Sequence, residues 1–422
     1  MFHIFVKIFC KSKLTYMNKI ILSVLLSVTS SICLSQTLDS PLIEKLKRDV
    51  IYLSSDKLKG RNTGTESEKI AADYIIEKLK LYELKPKGTN GFFQEFTAKI
   101  NANPHTNSDA KEITGQNVVG YFDNQAENTV IIGAHYDHIG YGEYGSRYFG
   151  DPDVHNGADD NASGVSVMIQ LADQLKSIKD YNFLFIAFSG EEYGLYGSSY
   201  YAKNPTINLS NVSYMLNFDM IGRYVDSVGL AVNGVGTSSF WDDLLAQANE
   251  NFDFKLVTSE SGVGPSDHTS FYFQNIPVLH FFTGQHDDYH TPRDDFDKIN
   301  FEGMQKILFF VKNLIKNSTE IEKFDFVETA NESKDVPKFK VTLGVMPDYM
   351  YSGKGLRIDG VSKGKVADSY GILKGDIVTK IGDVHVLDII SYMQGLSNYN
   401  DGEKAILEIQ RDKKTIKIEV VF

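Results

Sequence analysis

The sequence predicts an α/β protein: a mixed, mainly parallel central sheet sandwiched by helices, followed by a small α+β domain. Three observations carry that prediction. Five short runs are almost purely apolar, as strands covered on both faces must be. They are Asn117–Tyr121, Thr129–Gly133, Phe183–Phe188, Tyr214–Phe218 and Pro277–Phe281. Helical patterns at Ala162–Leu175 and Phe240–Asn251 alternate with them, which is the order of a layered α/β domain. Polar residues cluster where the runs end, and open α/β sheets bind ligands beyond the carboxyl ends of their strands.

The elements follow in chain order. Asn18-Lys19 and the apolar run Ile20–Val28 form a basic start and a core too brief to span a bilayer, the pattern of a cleaved export signal. We assign it residues 1–35, with Met17 as the true start, Gln36 near the mature N-terminus and a periplasmic or extracellular destination. Ile32 is too bulky to precede a lipidated Cys33, which argues against a lipid anchor. Thr65–Leu81 then places Ile70, Ala71, Tyr74, Ile75 and Leu79 at helical spacing, with Thr65 or Ser67 as cap. The first domain runs over 36–325. A polar stretch at 326–337 reads as a linker, and 338–422, with short strands at Gly355–Ile358 and Ala405–Ile409, forms the second domain.

Composition excludes several partners. Both cysteines, Cys10 and Cys33, fall in the leader, so the mature chain has no disulfide and any metal is held by nitrogen and oxygen. The leader also holds four lysines and no acids, so its loss takes the formal charge from −12 to −16. That charge argues against nucleic acid and against anionic membrane surfaces. No stable membrane insertion is expected.

The strand ends carry the chemistry. His135 ends a strand, and Asp137, two residues on, can accept the second imidazole N–H and fix which nitrogen faces a metal. Asp159-Asp160, flanked by small residues ahead of a helix, exceeds what N-capping needs, so one of the two faces metal. Glu191-Glu192 follows the most apolar strand; adjacent residues point apart, so one carboxylate can bind metal while the other serves as base. Asp219 and His290 repeat the pattern. Two histidines and three carboxylates, with one glutamate left over, suit two Zn²⁺ ions sharing a carboxylate and a water, with Mn²⁺ or Co²⁺ as substitutes. Ser266-Asp267-His268 is no serine-hydrolase relay, because consecutive residues cannot take the three positions.

In order and type, these motifs resemble the M28 family of zinc aminopeptidases, over Leu58 to Ile315. The resemblance implies that His135 and Asp219 hold one zinc, that Glu192 and His290 hold the other, and that Asp159 bridges them. It further implies Glu191 as general base, a cis bond at Asp159-Asp160, and a peptide substrate read from its free amino end. His138, Asp267 and His268 are candidates for the surrounding pocket. On the same fold a glutaminyl cyclase or a carboxypeptidase is the alternative, and a metal-binding ectodomain without activity is a third. The C-terminal segment resembles a PDZ domain. There Gly353–Ile358 is expected to form the carboxylate-binding loop and groove strand, with Gly355, Leu356 and Arg357 receiving a peptide or protein C-terminus.

Overall fold

The computed structural model describes residues 40–100, 111–148, 150–329, 340–348, 351, 353–361, 364–387 and 389–422. The expected export signal and most of the expected linker lie outside them. Nine strands form the first sheet: β1 (Lys85–Pro86), β2 (Phe93–Ile100), β3 (Lys111–Phe122), β4 (Thr129–His135), β5 (Asn182–Phe188), β6 (Val212–Phe218), β7 (Leu230–Asn233), β8 (Leu256–Ser259) and β9 (Val278–Phe282). Their order is β1-β3-β5-β4-β6-β9-β7-β8, with β2 also on β3. The central strands β5, β4, β6 and β9 run parallel. Antiparallel pairs flank them at β3–β5 and β7–β9, so "mainly parallel" describes the centre and not the whole sheet.

Every residue of β4 and β5 is buried, which explains their unbroken apolarity. Alternate side chains take opposite faces. Ile131, Leu184, Ile186 and Met215 meet Tyr201 and Phe271 on one of them. Those two rings come from α4 (Tyr196–Lys203) and α6 (His268–Tyr272). The other face is covered by α3 (Gly164–Gln174) and α7 (Phe301–Ser318), which pack on each other. The remaining helices of this domain are α1 (Pro41–Leu53), α2 (Glu66–Leu81) and α5 (Trp241–Asn249). The α2 helix begins as expected, with the Thr65 side chain accepting the Glu68 N–H and Glu68 reaching back to the Gly64 N–H at 2.6 Å.

Residues 326–329 are not a linker. Val327 N–H donates to the Thr237 carbonyl and Thr329 N–H to the Tyr272 hydroxyl, which ties this stretch to the first domain. The second domain has its own core, built around Leu343, Ile358, Val378, Leu396 and Leu407. Its strands are β10 (Val345–Pro347), β11 (Leu356–Val361), β12 (Ile377–Ile381), β13 (Val384–His385), β14 (Lys404–Arg411) and β15 (Lys414–Val421), with helices α8 (Val366–Ser369) and α9 (Ile389–Ser397). Among the described residues no helix is long and apolar enough to cross a membrane.

Candidate metal centre

Because β4, β5, β6 and β9 run in one direction, the polar segments after them converge at one end of the sheet. Two groups of donors meet there: His135, Asp160 and Asp219, and His138, Asp160, Glu192 and His290. Asp160 belongs to both. Its Oδ1 lies 3.3 Å from His135 Nε2 and its Oδ2 3.1 Å from His290 Nε2. Asp219 Oδ1 is 3.3 Å from His135 Nε2, and Glu192 Oε2 is 3.1 Å from His290 Nε2.

Zinc ligands about 2.0–2.1 Å from a tetrahedral centre lie about 3.3 Å from one another. The four spacings match that edge, so these residues fit zinc. His290 Nε2 supplies a second sign: it is buried and has no hydrogen-bond partner, so the nitrogen is aimed between the two carboxylates and at neither.

The bridging acid is Asp160, one residue beyond the expected Asp159. The Asp159 carboxylate turns away: its Oδ1 accepts the Gly222 N–H at 2.6 Å and its Oδ2 lies 3.1 Å from His286 Nε2. The turn decides this. Gly157 adopts φ +57°, and a Cβ there would stand 2.1 Å from the Asp160 carbonyl oxygen, so the chain reverses too tightly for the two acids to share a direction. Asp294 completes the turn, its Oδ2 accepting the N–H groups of both Asp159 and Asp160 at 3.0 Å. The cis bond likewise falls one residue later than expected, at Asp160-Asn161.

The remaining candidates are placed as follows. Glu191 lines the same cleft without joining either group. Desolvation there holds its carboxyl well above the ordinary range, with Asp219, Glu192 and Asp267 reinforcing the effect and His135 opposing it. Burial would lower His135 and His290, but the carboxylates around them hold both rings well above the usual histidine range. The field at this point therefore favours positive charge.

Asp137 orients less of His135 than expected. Its carboxylate is 3.8 Å from Nδ1, too far for a hydrogen bond, and the ring nitrogen faces the Asp137 carbonyl at 3.3 Å instead. The carboxylate accepts from Thr63 Oγ1 at 2.9 Å and from the Glu191 N–H at 3.2 Å, so it fixes the backbone that carries the base. Asp267 and His268 are buried close by; burial pushes Asp267 up to about 7 and keeps His268 well below its usual value.

Three contributors were not legible as such. Residues 141–155 carry Gly145, whose carbonyl faces His290 Nδ1 at 2.9 Å and fixes that ring. Arg61 is fully buried and donates to the carbonyls of Tyr136, Leu53, Asn156 and Gly157, binding the segments that carry His135 and Asp160 to one another. His286 is the partner that draws Asp159 off the site. The cleft has an apolar wall of Met220 and Phe282 beside Tyr289.

In the second domain the expected peptide-binding residues are already paired. The backbone of Leu356 and Arg357 is in register with Val378 and Ile377 on β12. On the other side Asp348 N–H donates to the Arg357 carbonyl, and Gly355 N–H is spent on the Leu387 carbonyl. Among the described residues, the Gly355 N–H and the Arg357 carbonyl are therefore already taken. The outer strand on that side is β10.

Residues 117–315 match the model of peptidase family M28. Aminopeptidase YwaD of Bacillus subtilis is 27% identical over 292 residues, which span 66% of this chain and 58% of that protein. The chain thus spans well under two thirds of that relative's length. A zinc aminopeptidase structure from B. subtilis superposes with TM-score 0.52 at 21% identity, covering 65% of this chain and 95% of that one. A glutaminyl cyclase from Porphyromonas gingivalis does so with TM-score 0.51 at 18% identity, over 65% and 98%. At these identities the likeness is one of fold. Both groups of donors lie within residues 117–315, the segment that matches the peptidase family M28 model.

Proposed function

We propose that the chain is an exported metallopeptidase that binds two zinc ions and removes N-terminal residues from peptides. The observation that carries this reading is the two groups of donors that share Asp160, with Glu191 outside both and beside them. His135, Asp160 and Asp219 hold one ion, and Asp160, Glu192 and His290 the other. Zinc held there supplies Lewis acidity that activates water and polarises the scissile carbonyl.

Glu191 takes the proton of the attacking water and delivers it to the amine as the carbon–nitrogen bond breaks. Met220 and Phe282 offer an apolar surface to the side chain next to the cleaved bond. Export is supported by the leader sequence at 17–35. The C-terminal domain is read as PDZ-like, with the outer edge of β10, in place of β11, taking a peptide or protein C-terminus as an added strand.

A panel of free, N-blocked and N-glutaminyl peptides, assayed with the zinc-loaded enzyme, tests the proposal. Cleavage confined to free N-termini, abolished by chelator and reduced roughly 10²–10⁴-fold in Glu191→Gln, is expected. Equal cleavage of blocked peptides, or cyclisation of the glutaminyl peptide without hydrolysis, contradicts it.

A further inference from the structure

Four residues surround the Glu192 side of the site, and three fit a metal. The fourth, His138, is set apart by its distances. Its Nδ1 lies 2.6 Å from Glu192 Oε1 and 3.8 Å from Asp160 Oδ2. Two ligands of one zinc stand about 3.3 Å apart, so the first separation is too short for an edge of the coordination shell and the second too long. A distance near 2.6 Å is that of a charge-assisted hydrogen bond from a ring N–H to a carboxylate. Glu192 then divides its oxygens: Oε1 is engaged by His138, and Oε2 is the one 3.1 Å from His290 Nε2.

The ring that makes this bond is held on several sides. It is fully buried and packs edge-on to His290 with centroids 5.6 Å apart. The backbone N–H of His138 donates to the Arg61 carbonyl at 3.2 Å, which fixes the chain that carries the ring. Gly157 leaves it room, since a Cβ there would come within 2.6 Å of His138 Cδ2. Nε2 is buried without a hydrogen-bond partner, so the contact to Glu192 is made through Nδ1 alone.

We propose that His138 is a positioning residue: an Nδ1–H donor that fixes the Glu192 carboxylate so that Oε2 alone is presented to the metal. This rests on the reading of the site as a zinc centre, and it assigns His138 no bond to the ion. Zinc affinity of the full chain, measured by competition with a chromophoric chelator, tests it in wild type, His138→Asn and His138→Leu. Asparagine keeps an N–H donor near the position of Nδ1, whereas leucine fills space without one.

The leucine variant is expected to lose roughly 10- to 100-fold in affinity at one of the two sites, with the asparagine variant close to wild type. The cobalt-substituted absorption bands should keep the wild-type coordination number in both. Equal loss in both variants, with altered cobalt bands, makes His138 a ligand and overturns the proposal; unchanged affinity in both overturns it as well. Thermal melts in chelator confirm that each variant is folded. A wild type that binds no zinc sinks the reading of the site itself, a result separable from either outcome for His138.

Discussion

Asp159 and Asp160 are neighbours with the same side chain, both fully protected from solvent, and only one faces the donors. Asp160→Asn should therefore abolish tight binding at both sites. Asp159→Asn should leave zinc content intact and lower stability by about 1–3 kcal/mol, since it disturbs a buried hydrogen bond to Gly222. Metal analysis and denaturant melts of the pair separate the two roles, and loss of zinc in Asp159→Asn alone would reverse the assignment. The sequence could show that one of these acids faces metal, because capping leaves a second acid unexplained. It could not show which, because the direction of each depends on the left-handed Gly157 and on Asp294, 134 residues further along. His138 was visible only as a candidate for the surrounding pocket; its role appears once the 2.6 Å contact is weighed against the spacing of true ligands.

At the scale of elements, two connections hold the strand ends in place. Arg61 takes its conformation beside a buried carboxylate cluster: burial lowers its guanidinium to about 10, with Asp160 and Asp137 opposing that shift. Arg61→Met would leave four buried carbonyls short of a donor and should cost about 3–5 kcal/mol by urea denaturation, whereas a cost below 1 would show that water replaces it. The segment 141–155 is pinned through His155, whose Nδ1 faces the Asp153 carbonyl at 3.0 Å and whose Nε2 faces Ser146 Oγ at 2.8 Å. Ser146 Oγ also accepts the Tyr148 N–H, which ties this turn to the ring. Burial lowers the His155 pKa below its usual value. A depressed histidine contributes order that is fully present above about pH 6.5 and lost as pH falls through the lowered value. Hydrogen exchange of 141–148 should therefore speed up under mildly acidic conditions, and His155→Gln should remove that pH dependence. An unchanged profile would dissociate the ring from the loop. The central strands were readable because both faces are covered; β2, β7 and β8 were not, being short or flanking strands without a continuous apolar run. The error in the second domain has the same origin: Gly355–Ile358 looks like a strand and is one, but which of its edges is free depends on β10 and β12.

Over the whole molecule, two buried apolar clusters, both touched by Ile389 of α9, and one metal centre imply two responses to heat. The second domain packs its own buried cluster, so calorimetry should resolve two transitions in the full chain. Zinc at about 1,000 times its dissociation constant stabilises the domain that binds it by about 4 kcal/mol, so chelator should lower one transition and leave the other. A single transition shifting as a unit would show that the domains unfold together. The layered fold and the location of the site followed from strand polarity, which delivers His135, Glu191, Glu192 and Asp219 to one end of the sheet. The central claim is that Asp160 joins two zinc sites there. Diffraction from zinc-loaded crystals at the zinc absorption edge tests it most directly. Two anomalous peaks about 3.5–4 Å apart, on either side of the Asp160 carboxylate, are expected; a single peak, or a pair centred on Asp159, would contradict it.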